Sequence, residues 1–266
     1  MKLNLVRPRK GLTWVREGMR LFLRQPLALS GLFFMFMAIL SLASLVPLIG
    51  PVLALVLLPM ATLGLMAASR EAEQGRFPMP SIMFTGLRAG PPQRRALLSL
   101  GGLYAVGFAI VIALSSLVDG GEFARLYLFG GKIDEEVVSD PEFQAATWTA
   151  ALLYAPLSLI FWHAPALVYW HQITPLKSLF FSATACWKNM GAFIVYALGW
   201  FGAFLLAGVV VALLASLFDS PAMAATVMLP VALIMAAMFF ASVYSTFRDS
   251  FSVEPIAPPL QESEPQ

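Results

Sequence analysis

Two histidines on one predicted helix are the residues of this chain best suited to chemistry, because an imidazole can carry protons or bind a metal. His163 and His171 are eight positions apart, which on an α-helix means about 12 Å along the axis and roughly 80° around it. That separation is too large for one metal ion. A haem with two histidine ligands would need a second histidine on a facing helix, and none exists. We therefore predict neither a metal nor a cofactor.

The two histidines differ in their sequence surroundings. His171 follows Tyr169 and Trp170, a combination typical of the aromatic belt at a membrane interface. His163 lies deeper in an apolar stretch and precedes Pro165, which frees a backbone carbonyl one turn earlier. His163 is thus the candidate polar site within the membrane. Two interpretations remain open, a packed structural residue or a group that takes up a proton in a cavity.

Acidic residues gather in a second place, the segment 119–144. Asp134, Glu135 and Glu136 stand in a row there, but the row lacks the spaced oxygen ligands and the turn glycine of a calcium loop. We interpret it as a solvated acidic face. No nucleophile elbow, phosphate-binding loop or zinc-binding histidine pair is present, so we predict that the protein is not an enzyme.

The elements that position these residues are predicted to be membrane-spanning helices. Hydrophobic residues make up 59% of the chain and charged residues 12%, against about 25% charged in soluble domains. About 20 apolar residues cross a bilayer core, and six segments qualify. We predict an all-α, polytopic bundle that forms one integral membrane domain over residues 1–250, with a disordered cytoplasmic tail over 251–266. The predicted spans are Leu27–Val46, Pro51–Ser69, Ala96–Val118, Ala145–Trp170, Gly191–Phe218 and Ala222–Thr246.

Charge predicts how the chain is threaded. Fifteen of its seventeen Lys and Arg residues fall on one side of the alternating spans, and only Arg125 and Lys132 fall on the other. Basic residues stay on the cytoplasmic side of a membrane, so both termini are predicted to be cytoplasmic and residues 119–144 to face outward. The net charge of +2 is too small to indicate a nucleic-acid partner.

A short amphipathic stretch precedes each pair of spans, near residues 12–24, 80–88 and 174–188. The unit of one interfacial helix and one hairpin of spans is therefore used three times in parallel. Basic amphipathic helices of this kind lie at lipid headgroups. They either steer insertion and brace the hairpins or bind lipid. The candidate headgroup contacts are Arg16, Arg20, Arg24, Lys177 and Lys188.

Two segments carry a resemblance to known proteins. The stretch Ile173–Phe193, with Thr174-Pro175 at its start and Trp187-Lys188-Asn189 near its end, is similar to the signature of an uncharacterised family of proteobacterial inner-membrane proteins. The opening Arg7–Gly11 with Trp14 resembles the start of that family. More distantly, the chain resembles the helical membrane region of some bacterial glycerophosphodiesterases, whose catalytic domain has no counterpart here. The resemblance implies a location and a fold, and no chemistry.

These observations favour a bacterial inner-membrane protein whose partners are membrane lipids and other membrane proteins. Its predicted role is that of a non-catalytic accessory or scaffold protein. The alternative is a facilitator or transporter of an apolar or amphiphilic small molecule, since four prolines interrupt the spans and a cavity can form at such kinks. The four are Pro59, Pro156, Pro165 and Pro230.

Overall fold

The computed structural model describes residues 2–130, 135–218 and 221–252, and most of these are helical. Within them, six helical segments are long and apolar enough to cross a membrane, so the predicted all-α polytopic fold is confirmed. The fourth segment is made of two helices, α7 and α8. The helices are α1 (Lys10–Arg24), α2 (Pro26–Ser44), α3 (Gly50–Glu73), α4 (Pro91–Asp119), α5 (Glu122–Phe129), α6 (Glu135–Ser139), α7 (Pro141–Phe161), α8 (Ala164–His171), α9 (Pro175–Lys188), α10 (Met190–Leu217) and α11 (Pro221–Ser250).

Local sequence explains where several helices begin. Proline stands in the first turn of α2, α4, α7 and α9, where its missing N–H costs no hydrogen bond. At the start of α7, the Asp140 carboxylate accepts from the backbone N–H of Glu142 at 2.8 Å. This is the capping arrangement that Asp-Pro-Glu predicts.

The turn between α2 and α3 requires a glycine. A Cβ atom on Gly50 would lie 2.1 Å from the carbonyl oxygen of Ser44, so no larger residue fits. Leu48 in the same turn has a positive φ of 68°, a conformation that residues other than glycine seldom adopt. The two spans can therefore run back to back with a very short connection.

Neighbouring spans pack in the order of the chain. Contacts join α2 with α3, α3 with α4, α4 with α7 and α10 with α11, while α11 also touches α2 and α3. Helix α1 packs against α10 and α11. Two glycines allow this approach, since a Cβ on Gly11 would lie 2.1 Å from Ala192 O and one on Gly18 would lie 2.4 Å from the Ser242 side chain.

The three stretches that precede the pairs of spans differ in form. The first is α1 and the third is α9, but the second is a short 3₁₀ helix, Pro80–Phe84, which packs on α3. A Cβ on Gly64 of α3 would lie 2.9 Å from the Met83 backbone, so the 3₁₀ helix is seated directly on the span.

The two ends of the described chain meet. Strand β1 (Lys2–Leu3) pairs antiparallel with β2 (Phe251–Ser252), and Phe251 is buried. Strand β2 thus contains the first two residues of the predicted tail. The rest of that tail, 253–266, lies outside the described residues.

Candidate functional site

His163 lies at the break between α7 and α8. Helix α7 ends at Phe161 and α8 begins at Ala164, because Pro165 cannot donate to the preceding turn. The backbone N–H of His163 instead donates to the Ser182 hydroxyl of α9 at 3.0 Å. That hydroxyl donates in turn to the carbonyl oxygen of Leu159 at 3.0 Å. Helix α9 therefore supplies the hydrogen bonds that the broken span lacks.

The imidazole of His163 is held by a second set of contacts. The Thr246 hydroxyl donates to the carbonyl of Val243 at 2.7 Å, so its oxygen accepts from its other neighbours. His163 Nε2 lies 3.2 Å from that oxygen and Trp162 Nε1 donates to it at 3.0 Å. This network places the proton of the neutral ring on Nε2. His163 Nδ1 faces Cys186 Sγ at 3.9 Å.

His163 has no exposed surface, and the rings of Phe193, Phe247 and Phe251 surround it at centroid distances of 5.4–6.0 Å. From the break between α7 and α8, the side chain thus contacts α9, α10 and α11. His171 also packs on the Phe247 ring, but it is only half-buried. Among the residues that the structure describes, no three His, Cys, Asp or Glu side chains are grouped closely enough to bind a metal ion.

Cys186 completes this region on the α9 side. It is buried, and burial raises the pKa of its thiol to about 12, because a thiolate would lose its hydration. The thiol therefore stays protonated at neutral pH. It packs here as a small apolar residue.

The candidate headgroup contacts are all exposed. Arg16, Arg20 and Arg24 recur every four residues on α1 and so share one face. We call them the arginine stripe. Within the described part of the chain none of the three forms an ion pair. Lys177 and Lys188 lie on α9.

Helix α9 has its apolar side outward. Leu176, Phe180 and Trp187 are each at least 66% exposed, while Ser178 and Ser182 have no exposed surface. A helix in water would be arranged the other way round, because exposed aromatic surface there is unfavourable. Apolar side chains beside lysines suit a position at the membrane surface.

An ion cluster that the sequence did not predict lies at the end of the bundle where α1 meets α11. Arg248 donates to Glu17 at 2.8 Å and to Asp249 at 2.9 Å, and it also pairs with Glu73. The cluster thereby joins α1, α3 and α11. Glu17 lies between the stripe residues Arg16 and Arg20 in sequence, but its side chain turns toward the bundle.

Asp249 connects the cluster more closely to α1. Its second carboxylate oxygen accepts from Trp14 Nε1 at 2.9 Å and lies 3.0 Å from Lys10 Nζ. Trp14 is fully buried. Since α1 is held by these polar contacts as well as by its close-packed glycines, the arginine stripe is carried on a firmly seated helix.

A cavity of about 330 Å³ opens among α3, α4, α7, α8 and α11. Pro59 and Pro165 line it, so it lies at kinks in two spans. The hydroxyls of Tyr104 and Tyr154 meet in it at 3.2 Å. We call it the tyrosine cavity. His163 does not line it, whereas Trp162 does. The sequence did contain a signal for this site, because a tyrosine hydroxyl in the middle of a span needs a polar partner.

The described residues contain six apolar segments long enough to cross a membrane, and such a bundle defines the protein as a polytopic membrane protein. No family model and no solved structure matches the chain. A protein of Burkholderia thailandensis described as a probable inner membrane protein is 42% identical to it over 265 residues, which is 98% of each chain. The chain belongs to the same family of proteobacterial inner-membrane proteins, and the resemblance predicted from Ile173–Phe193 is confirmed.

Proposed function

We propose that the protein is a non-catalytic accessory or scaffold protein that binds anionic lipid at the cytoplasmic leaflet of the inner membrane. One observation supports this best, namely the arginine stripe on a helix that is fixed to the bundle. Three exposed guanidinium groups on one face attract anionic headgroups. Because Glu17 is already paired with Arg248, it does not neutralise the stripe. Helix α9 adds Lys177 and Lys188 beside its exposed apolar side chains.

Lipid analysis of the purified full-length protein tests this proposal. We expect phosphatidylglycerol and cardiolipin to be enriched in the lipid that co-purifies with the wild type, relative to bulk membrane. The variant Arg16→Gln/Arg20→Gln/Arg24→Gln should lose most of this enrichment. A control with equal loss of charge, Arg88→Gln/Arg94→Gln/Arg95→Gln, should keep it. Equal enrichment in both triple variants would contradict the role of the stripe.

The scaffold role requires that other membrane proteins bind as well. Cross-linking in intact cells followed by purification should recover specific partners in the wild type. A clean monomer, with neither a partner nor a lipid preference, would count against the whole proposal.

The proposed orientation puts both termini in the cytoplasm. Its support is the unequal distribution of Lys and Arg. Reporter tags at position 130 and at either terminus test it, since the tag at 130 should report from the periplasm and the others from the cytoplasm. All three tags in one compartment would overturn it.

A second candidate function, a facilitator for an apolar or amphiphilic molecule, is favoured by the tyrosine cavity at the kinks of Pro59 and Pro165. A liposome flux assay would compare the wild type with His163→Ala, which removes the hydrogen bond to Thr246 of α11, and with Ser158→Phe, which fills the cavity. We expect both to reduce flux. No flux of any lipid-like compound through the wild type would exclude this function.

A further inference from the structure

The tyrosine cavity lies near the middle of the spans that line it. Tyr104 is thirteen residues after the start of α4 and fifteen before its end, which is roughly 20 Å from either. Tyr154 is likewise thirteen residues after the start of α7. A volume of about 330 Å³ is at the lower end of the range of small-molecule sites, roughly 300–1,000 Å³. The cavity therefore suits a compact chemical group at the depth of the acyl chains.

The lining of this cavity is neutral and aromatic. None of the described residues that line it carries a charge, and half of them are aromatic, among them Phe161, Trp162 and Phe240. Aromatic walls favour a flat ring, which can stack on one face and meet ring edges on another. A charged headgroup would be left without a counter-ion here, at a large cost in desolvation.

The tyrosine pair has one hydroxyl proton to spare. The contact between Tyr104 and Tyr154 uses one O–H as donor, and a phenol has one proton to give. The second proton has no acceptor among the described residues and lies at the cavity wall. The other two hydroxyls of the lining, on Thr62 and Ser158, already donate to their own helices. The site thus offers a hydroxyl hydrogen-bond donor, which suits a ligand with a neutral hydrogen-bond acceptor such as a carbonyl oxygen.

A second cavity adjoins the first. It measures about 560 Å³ and shares Leu58, Tyr104 and Tyr154 with the tyrosine cavity. It extends toward α5, where Tyr127 and Leu128 line it, and its wall on α2 and α3 is mainly aliphatic. A long apolar tail attached to a ring in the first cavity would have room to leave along this path.

We propose that the tyrosine cavity binds an isoprenoid quinone, that is, a flat ring with carbonyl oxygens and an apolar tail. The ring lies against the aromatic wall, one carbonyl accepts from the tyrosine pair, and the tail follows the second cavity. This assignment goes beyond the binding of lipid headgroups proposed above. It concerns binding, and it holds whether or not the ligand crosses the membrane.

Fluorescence titration of the full-length protein with decylubiquinone tests the proposal, because Trp162 lines the site and a bound quinone quenches it. We expect saturable quenching in the wild type. The variant Tyr104→Phe/Tyr154→Phe keeps both rings and removes both hydroxyls, so its Kd should rise about 3–10-fold. The matched control Tyr169→Phe, outside the cavity, should bind like the wild type. Ser158→Phe should abolish saturable quenching.

Three outcomes would overturn the proposal. Quenching that is linear in quinone and equal in all variants would mean that the quinone only partitions into the micelle. An unchanged Kd in the double tyrosine variant would remove the role of the hydroxyls. If dioctanoylglycerol, whose ester carbonyls are not part of a ring, displaced the quinone at equal or lower concentration, the site would recognise an acyl lipid instead. None of these three measurements depends on whether the arginine-stripe variant loses its enrichment in anionic lipid, so the two proposals can fail separately.

Discussion

Replacing Arg248 by Met should destabilise the bundle by about 2–3 kcal/mol. Arg248 makes ionic contacts with Glu17, Glu73 and Asp249, and the side chains concerned are 15–33% exposed. Each such charge-assisted contact is worth about 1 kcal/mol once solvent screening is included. Met keeps the apolar stem of the side chain, so the decrease in the free energy of unfolding measures the contribution of the guanidinium charge.

The free energy of unfolding is measured by titrating the purified chain with SDS in mixed micelles, followed by far-UV circular dichroism. Arg125→Met is the matched control, because the Arg125 side chain is 71% exposed and its contact with Glu122 is 3.8 Å long. That control should change the free energy by less than about 0.5 kcal/mol. Combining Arg248→Met with Glu73→Gln should recover about 1 kcal/mol, since one of the uncompensated carboxylates is then neutral.

The dependence on pH has a defined sign. In the wild type the carboxylates are stabilised by Arg248 at pH 7, and this contribution fades as acid protonates them. In Arg248→Met the same ionised carboxylates repel one another without a counter-ion, so acid relieves the variant. The difference between the two proteins should therefore shrink as the pH falls. A loss no larger than that of Arg125→Met, or one that grows in acid, would refute the assignment of the ion cluster.

Two further predictions concern close packing and chemical reactivity. Gly101→Ala should cost about 1–3 kcal/mol in the same unfolding assay, because its Cβ would lie 1.9 Å from the carbonyl oxygen of Val56. The control Gly102→Ala has open space around its Cβ and should be neutral or stabilising. Equal effects of the two substitutions would contradict the tight contact between α3 and α4. Cys186 should resist maleimide at pH 7.5 in the folded protein, since the raised pKa of its thiol leaves almost no thiolate. Trp187→Cys in a Cys186→Ser background should react readily, as position 187 is exposed; rapid labelling of Cys186 itself would show that the site opens.

The spans were predictable because each is decided locally. A run of about 20 apolar residues has one favourable environment, the bilayer, and proline or glycine marks most of the ends. The fourth span, predicted as Ala145–Trp170, is interrupted at Trp162 and His163. The sequence contained the cause of that break in Pro165, and the hydrogen bonds that make it tolerable come from α9.

The polar sites were less predictable because their partners lie far apart in the chain. His163 was singled out as a rare ionisable side chain within a span, but Thr246 is 83 residues away from it. Arg248 and Glu17 are separated by 231 residues, and no local pattern indicates that Glu17 turns inward while its neighbours Arg16 and Arg20 turn outward. Tyr104 and Tyr154 were overlooked because each looks like an ordinary aromatic residue of a span when considered alone.

The position of α1 between the last two spans has a consequence for biosynthesis. Its glycines and Trp14 contact α10 and α11, which the ribosome makes about 200 residues later. At about 5–20 residues per second, α1 is therefore synthesised roughly 10–40 s before the helices that it packs against. The earliest segment to emerge is thus among the last to dock. A chain cut short before α10 would leave Trp14 without the rings of Phe193 and Tyr196 that cover it in the complete bundle.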